Sequence, residues 1–199
     1  MIAIVDYGMG NLFSIYNAFL KVGGDPEIKR DPEFGGAEGI VIPGVGSFGR
    51  CTERLRRFQE PLEERITEGT PVLGICIGMQ VMLDESEESP GARGFGWIPG
   101  RVVRLPESVT VPQMGWNSLE IKKGMELLDG ISPGDMFYFV HSYHCIPYDQ
   151  RVVAASTHYG VELAAVVAKD NIYGTQFHPE KSGPKGLRIL ENFVRMVRC

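Results

Sequence analysis

Val72-Leu73-Gly74-Ile75-Cys76-Ile77-Gly78-Met79-Gln80 is an apolar run that passes without a spacer into a short helical pattern. An unalternated apolar run suits a strand buried on both faces of a sheet, with helices supplying the cover. The two glycines of G-x-C-x-G leave room for a sharp strand-to-helix turn, which pushes the residue between them out at the carboxyl edge of the sheet. A cysteine there sits at a helix N-terminus, where the dipole favours its thiolate. Backbone N–H groups of the next turn, Ile77 first, point to where a tetrahedral oxyanion would form. Taken alone, the pattern suits a nucleophile and an inert buried cysteine equally.

Working outward, Ile2 to Asp6 and Gly39 to Ile42 are further apolar runs, closed by Gly8 and by Pro43-Gly44. Leu12, Ile15, Phe19 and Leu20 recur at helical spacing until Gly23-Gly24. Leu55, Phe58, Leu62 and Ile66 continue a longer helical pattern that Pro61 is expected to kink or split, with Gly69 as its stop. Beyond the acidic stretch Asp84 to Glu88 the period changes. Arg101 to Leu105, Met136 to Val140, Arg151 to Thr157, Leu163 to Ala168 and Ile172 to Phe177 read as strands, with a brief helical hint at Met125 to Leu128. Gly186 to Val197 reads as a closing helix. The expected fold is α/β: a three-layer, open, mostly parallel sheet flanked by helices, with the middle strands in an antiparallel extension because they lack crossover helices.

The chain has 199 residues, which predicts a single domain over 1–199. Glycine is abundant, 25 residues, which implies many tight turns. Formal charge is −5, with no basic block of the kind that tracks nucleic acid. The one arginine cluster, Arg50, Arg54, Arg56 and Arg57, is interleaved with Glu53, Glu60, Glu63 and Glu64 and reads as a solvated helix face. Cys51, Cys76, Cys145 and Cys199 are widely spaced without a CxxC pair. No apolar run reaches 18 residues, and Met1 to Gly10 reads as a strand rather than a leader. A reduced, cytoplasmic protein without membrane segments is expected.

Gly174-Thr175-Gln176-Phe177-His178-Pro179-Glu180 ends another strand at the carboxyl edge, where open α/β sheets bind their ligands. Pro179 biases His178 toward extended geometry. Glu180, two residues on, is placed to face the same way if the segment is extended. Cys76, His178 and Glu180 then make a nucleophile, base and orienter. Gly44-Val45-Gly46-Ser47-Phe48-Gly49 fits a dinucleotide fingerprint, but it does not follow the first strand. Its glycines suit instead a peptide that turns an N–H toward an oxyanion beside Cys76. His141, His144 and Cys145 superficially suggest a metal site, yet i and i+3 on a strand face opposite ways and no second ligand pair has zinc spacing. A loop shaping the substrate pocket is the preferred reading, with no metal and no cofactor.

These stretches closely resemble the class I (triad) glutamine amidotransferases and, within that class, the glutaminase subunits of imidazole glycerol phosphate synthase. The class resemblance rests on 73–80 and 174–180; the finer one on 5–15, 41–49, 112–117, 139–144 and the lysine of 178–183. It spans essentially the whole chain, with no room left for a fused synthase domain. The resemblance implies that Cys76, His178 and Glu180 form the catalytic triad. It implies that Gly44, Val45 and Gly46 with the Ile77 N–H form or regulate an oxyanion hole, and that Gln80 with the backbone of His141, Ser142 and Tyr143 holds L-glutamine. Met114, Trp116, Asn117 and Lys181 would face a (β/α)₈-barrel cyclase subunit in a heterodimer and help couple the two sites. The sequence departs from the family at His144, where a second tyrosine is common, and at Gln113, a position that varies. Alternatives are a glutaminase of the same class serving pyridoxal phosphate, anthranilate or guanylate synthesis, and a catalytically idle regulatory subunit. The stretches 5–15 and 112–117 weigh against the first, and the intact triad and elbow against the second.

Overall fold

The structure, a computed structural model, describes residues 1–198; Cys199 lies outside the described residues. Its centre is an eight-stranded sheet. Five neighbouring strands run parallel: β1 (Ile2–Val5), β2 (Pro26–Lys29), β3 (Gly39–Ile42), β4 (Val72–Ile75) and β13 (Ile172–Thr175), in the order β2-β1-β3-β4-β13. Strands β1, β3 and β4 are buried at every residue, as an unalternated apolar run requires. Beyond β13 the sheet continues antiparallel through β12 (Val161–Lys169), β11 (Val153–Tyr159) and the short β8 (Glu120–Ile121).

The strand order reverses at β1, so right-handed crossovers send helices to opposite faces. Helix α1 (Leu12–Lys21) packs with α5 (Gly183–Met196), Phe19 meeting Phe193 with ring centroids 6.2 Å apart. Helices α2 (Phe48–Leu55) and α3 (Gln59–Thr67) belong to the β3-to-β4 crossover. The break between them is a 3-10 turn at Arg56–Phe58, upstream of Pro61. Proline clashes with the carbonyl four residues before it, here Arg57, so the disruption falls in the preceding turn and Pro61 itself sits harmlessly in the first turn of α3. Helix α4 (Ile77–Gln80) is a single turn.

The strand-rich middle divides. The 153–169 strands, with the short β8 at their edge, extend the main sheet. The predicted strands at 101–105 and 136–140 instead leave it for two small sheets. One joins β5 (Glu85–Ser86), β6 (Gly100–Arg104) and β10 (Tyr143–Pro147); the other pairs β7 (Gln113–Ser118) with β9 (Met136–His141). Strands β2, β7 and β10, and the two-residue β5 and β8, have no counterpart in the sequence reading. Strand β2 is an edge strand carrying Pro26, Glu27 and Lys29, composition that blunts an edge rather than filling a core.

Register decides where the three functional loops emerge. Ile42 lies opposite Gly74, and Thr175 opposite Ile75, so β3, β4 and β13 end side by side. The turn after β4 then passes against bare backbone. A Cβ on Gly74 would meet the Gly78 carbonyl at 2.5 Å, and one on Gly78 would collide with the Ile42 carbonyl oxygen. Gly78→Ala is therefore expected to cost about 3 kcal/mol or more, or to prevent folding. Gly35→Ala, where a Cβ meets nothing, should stay within about 0.5 kcal/mol. Urea unfolding of the two variants tests the close-approach account, and equal midpoints would refute it.

Candidate active site

Cys76 occupies the elbow with φ 55° and ψ −109°, an unusual left-handed value for a residue with a side chain. Its N–H is tied to the Thr175 carbonyl at 2.7 Å, and its carbonyl accepts from Met79 and Gln80 at 3.0 and 3.2 Å. The strained backbone is thus held from both sides. A one-turn helix carries little dipole, so the expected support from α4 reduces to local donors. Ile77 is the first helical residue, and its N–H has no intrahelical carbonyl to meet.

Period two along the strand end puts Gln176 and His178 on one side and Phe177 on the other. Phe177 packs at ring centroids 4.4 Å from Phe137 and 5.7 Å from Phe139, which anchors the segment. His178 is extended, as its following proline requires, and its N–H bonds the Tyr138 carbonyl at 3.0 Å. The condition set for Glu180, an extended 179–180 segment, is not met: Pro179–Lys181 form a 3-10 turn. That turn folds Glu180 back so that its Oε1 lies 2.9 Å from His178 Nδ1. Ser182 fixes the turn by donating to the His178 carbonyl at 2.6 Å and accepting from Tyr138 N–H at 2.9 Å.

Both side chains of the His178–Glu180 pair are almost wholly buried, 3% and 1% exposed. Burial works against a charged imidazole. Hydrogen-bonding and charge interactions with Cys76 and Glu180 outweigh it and raise His178 to about 10. Gln176 bridges the group: its Nε2 lies 3.7 Å from Cys76 Sγ, and its Oε1 accepts from Gln80 Nε2 at 3.1 Å. Gln80 Nε2 also donates to the Tyr143 carbonyl at 2.9 Å. His141 Nδ1 donates to the same carbonyl at 2.9 Å, which leaves Nε2 as an acceptor without a partner. Burial pushes His141 down to about 4, so its imidazole is neutral.

These groups surround a cavity of about 270 Å³. Of the residues expected there, Val45, Gly46, Cys76, Ile77, Gln80, His141, Ser142, Tyr143, His178 and Lys181 line it. Gly44 lies behind, where a Cβ would meet Ile77 Cβ at 2.7 Å and Gly78 N at 2.8 Å. Gly46 has φ +105° and faces Met9. Met114 and Trp116 stand exposed on β7, at 65% and 53%, with Trp116 edge-on to Tyr138. Asn117 is engaged within the chain, donating to the His158 carbonyl at 2.9 Å.

One expectation changes. His144 and Cys145 do not shape this cavity; they belong to β10, a strand rather than a loop, and wall a different cleft. The dinucleotide-like segment 44–49 has its helix N-terminus occupied: Glu88 Oε2 takes the Phe48 N–H at 2.7 Å and Ser89 Oγ the Gly49 N–H at 3.0 Å. A carboxylate thus stands where a pyrophosphate would have to sit. Glu88 also lines the cavity, as do Pro112 and Val140, and none of the three was anticipated. Glu88 is the last of the acidic run 84–88, and nothing in that run distinguishes it from its neighbours.

The glutamine amidotransferase class-I family matches residues 3–197. The chain is 52% identical over its whole length to the imidazole glycerol phosphate synthase subunit HisH of Methanothermobacter thermautotrophicus, covering all of that protein. It is 48% identical to the protein of the same name from Archaeoglobus fulgidus, again with full coverage of both. Among solved structures, PurLQS from Thermotoga maritima superposes with TM-score 0.80 at 18% identity, covering 98% of this chain and 97% of that one. A putative GMP synthase protein from Thermoplasma acidophilum follows at 0.76 and 22%, with 99% and 93% covered. These two likenesses concern the fold.

The electrostatics can be read directly. In a ¹H–¹³C NMR titration His178 should remain charged through neutral pH and lose its proton near 10, whereas His141 should stay neutral until pH approaches 4. Glu180→Gln removes an anion that favours the imidazolium, so the His178 midpoint must fall. A midpoint unmoved by that change would show that the ion pair does not set the charge.

Proposed function

This chain belongs to the class I glutamine amidotransferase family, and from that premise we propose that it hydrolyses L-glutamine to glutamate and ammonia as the glutaminase subunit of an imidazole glycerol phosphate synthase. The observation that carries the reading is the buried His178–Glu180 pair, 2.9 Å apart, whose imidazole lines one cavity with Cys76. The Cys76 thiolate attacks the side-chain amide carbon of glutamine, and the carbonyl oxygen takes up negative charge. The N–H groups of Ile77 and the 44–46 segment are the donors available to that oxygen. His178 gives its proton to the departing nitrogen, ammonia leaves, and a glutamyl thioester remains. Neutral His178 then takes a proton from water as the hydroxide adds to the thioester, which releases glutamate and restores the pair. Glu180 holds the imidazole in one orientation throughout.

Substrate recognition follows from the cavity's chemistry. Gln80 Oε1 and His141 Nε2 are buried acceptors that lack partners, and Glu88 brings a carboxylate. That set suits the ammonium and amide N–H groups of glutamine. Ammonia set free in water would be lost, so a second protein that consumes it belongs against the mouth. The partner in this reading is a (β/α)₈-barrel cyclase, which uses the ammonia to form imidazole glycerol phosphate and an aminoimidazole-carboxamide ribonucleotide in histidine synthesis. Met114, Trp116 and Lys181, at or near the mouth, are the docking and coupling residues of this proposal. The site of action is the cytoplasm; among the described residues no helix is long and apolar enough to cross a membrane.

Glutamate release measured enzymatically tests the chemistry. Cys76→Ala should abolish it, and His178→Asn should lower kcat by on the order of 10³-fold or more. Turnover retained by Cys76→Ala would sink the mechanism. Addition of the barrel protein with its ribonucleotide should raise glutaminase activity at least about tenfold, because a coupling free energy above about 1.4 kcal/mol is expected of a partner that completes the oxyanion donors. High activity of the isolated chain, unchanged by the partner, would refute the coupling.

A further inference from the structure

A second cleft, of about 520 Å³, opens between β10 with the end of β6 on one side and β11 with β12 on the other. Its size falls within the roughly 300–1,000 Å³ of small-molecule pockets. It shares no lining residue with the catalytic cavity. Cys145, Pro147, Leu163 and Ala164 make a buried apolar floor, and Ile146 and Val153 the walls.

Polar atoms without partners mark the places where a folded chain expects something else to bind, since nearly all buried donors and acceptors are otherwise satisfied. Among the described residues, Gln80 Oε1 and His141 Nε2 are two such atoms, and both belong to residues that line the catalytic cavity. Another, His144 Nδ1, belongs to a residue that lines this second cleft. His144 is 5% exposed. Burial pushes the His144 pKa down, so its imidazole is neutral and offers a hydrogen bond rather than a charge. Lys122, and after it the Ser156 hydroxyl, hold the Glu162 carboxylate below its usual range.

Charge at the rim narrows the ligand. Lys122 is engaged by both Glu120 and Glu162. Arg104 is exposed and, among the described residues, its guanidinium makes no ion pair, so one planar, bidentate cation remains for one anionic group. Arg104 is also the direct register partner of Tyr143. The Tyr143 carbonyl is the one that Gln80 and His141 both bind in the catalytic cavity. Leu105 N–H holds the neighbouring Ser142 carbonyl at 2.9 Å. Strand β10 is therefore a shared partition: its first residue serves the catalytic cavity and its next four wall the second cleft.

We propose that this cleft is a second small-molecule site, for a compound with an apolar or aromatic body and a single carboxylate-like head held by Arg104, and that its occupancy alters glutamine binding through β10. The second half rests on the glutaminase reading; the first does not. 2-Naphthoate is a suitable probe, and its neutral amide the control. Isothermal titration of the full chain should give one saturable naphthoate site. Arg104→Ala should weaken naphthoate about tenfold and leave the already weaker 2-naphthamide unchanged. Val161→Trp, at an exposed rim position where folding is not at risk, should block both. Absence of saturable binding, or binding indifferent to both substitutions, would overturn the site. Glutamine affinity is then measured on Cys76→Ala, which binds without turnover, and saturating naphthoate should change its Kd at least about threefold. An unchanged Kd would overturn the coupling alone. If Cys76→Ala fails to bind glutamine with or without naphthoate, the glutaminase reading falls and the coupling with it, while the naphthoate result still judges the cleft.

Discussion

The contact on which the rest of the structure depends is a backbone-to-backbone one: the first turn of α4 lies so close to the end of β3 that no side-chain atom fits between Gly78 and the Ile42 carbonyl. Gly74 and Gly44 extend the same constraint on either side, and Gly174 on β13 leaves space for Met79, whose Cγ a Cβ there would meet at 2.6 Å. Without these absences the strand could not turn within one residue, and Cys76 would point along the sheet instead of out of its edge. The left-handed backbone of Cys76 costs of order 1–3 kcal/mol, which only a tightly determined surrounding can hold. Two buried strands and a bond to the Thr175 carbonyl supply that surrounding.

Given the elbow, the charge distribution follows from burial. A histidine that is 3% exposed should be neutral, and His141, 6% exposed, is. The difference lies in the partners. His141 has a backbone carbonyl on Nδ1, whereas His178 has Glu180 on Nδ1 and Cys76 as a second hydrogen-bonding neighbour. The same fold thus holds one imidazole as an acid and another as a hydrogen-bonding neutral, both at one cavity, by changing only what each nitrogen meets.

The parts of this arrangement that were legible in the sequence are those set by local rules. Continuous apolar runs marked β1, β3 and β4, and the G-x-C-x-G spacing marked the elbow, because burial on both faces and a sharp turn leave direct signatures in residue type. The His178-Pro179-Glu180 grouping was legible as chemistry but not as geometry: the two-residue spacing suggested an extended strand, and a 3-10 turn made the contact instead. Glu88, Pro112 and Val140 were not legible, since each reaches the cavity through tertiary packing from a loop or a small sheet. The strands at 101–105 and 136–140 were found as strands but assigned to the wrong sheet. Alternation reports which face of a strand is buried, not which neighbour buries it.

That last ambiguity has a structural consequence. Strand β10 pairs with β6 in a small sheet and not with β11 or β12, and His144, whose Nδ1 has no partner, lines the cleft between them. An unfilled gap walled by apolar residues is tolerated, but one that strands buried polar atoms costs roughly 1–3 kcal/mol for each. The catalytic cavity carries the same kind of cost at Gln80 and His141, and there a substrate would offset it. Both costs fall on residues that touch β10 or its carbonyls, which makes that strand the element through which filling one space changes the energy of filling the other.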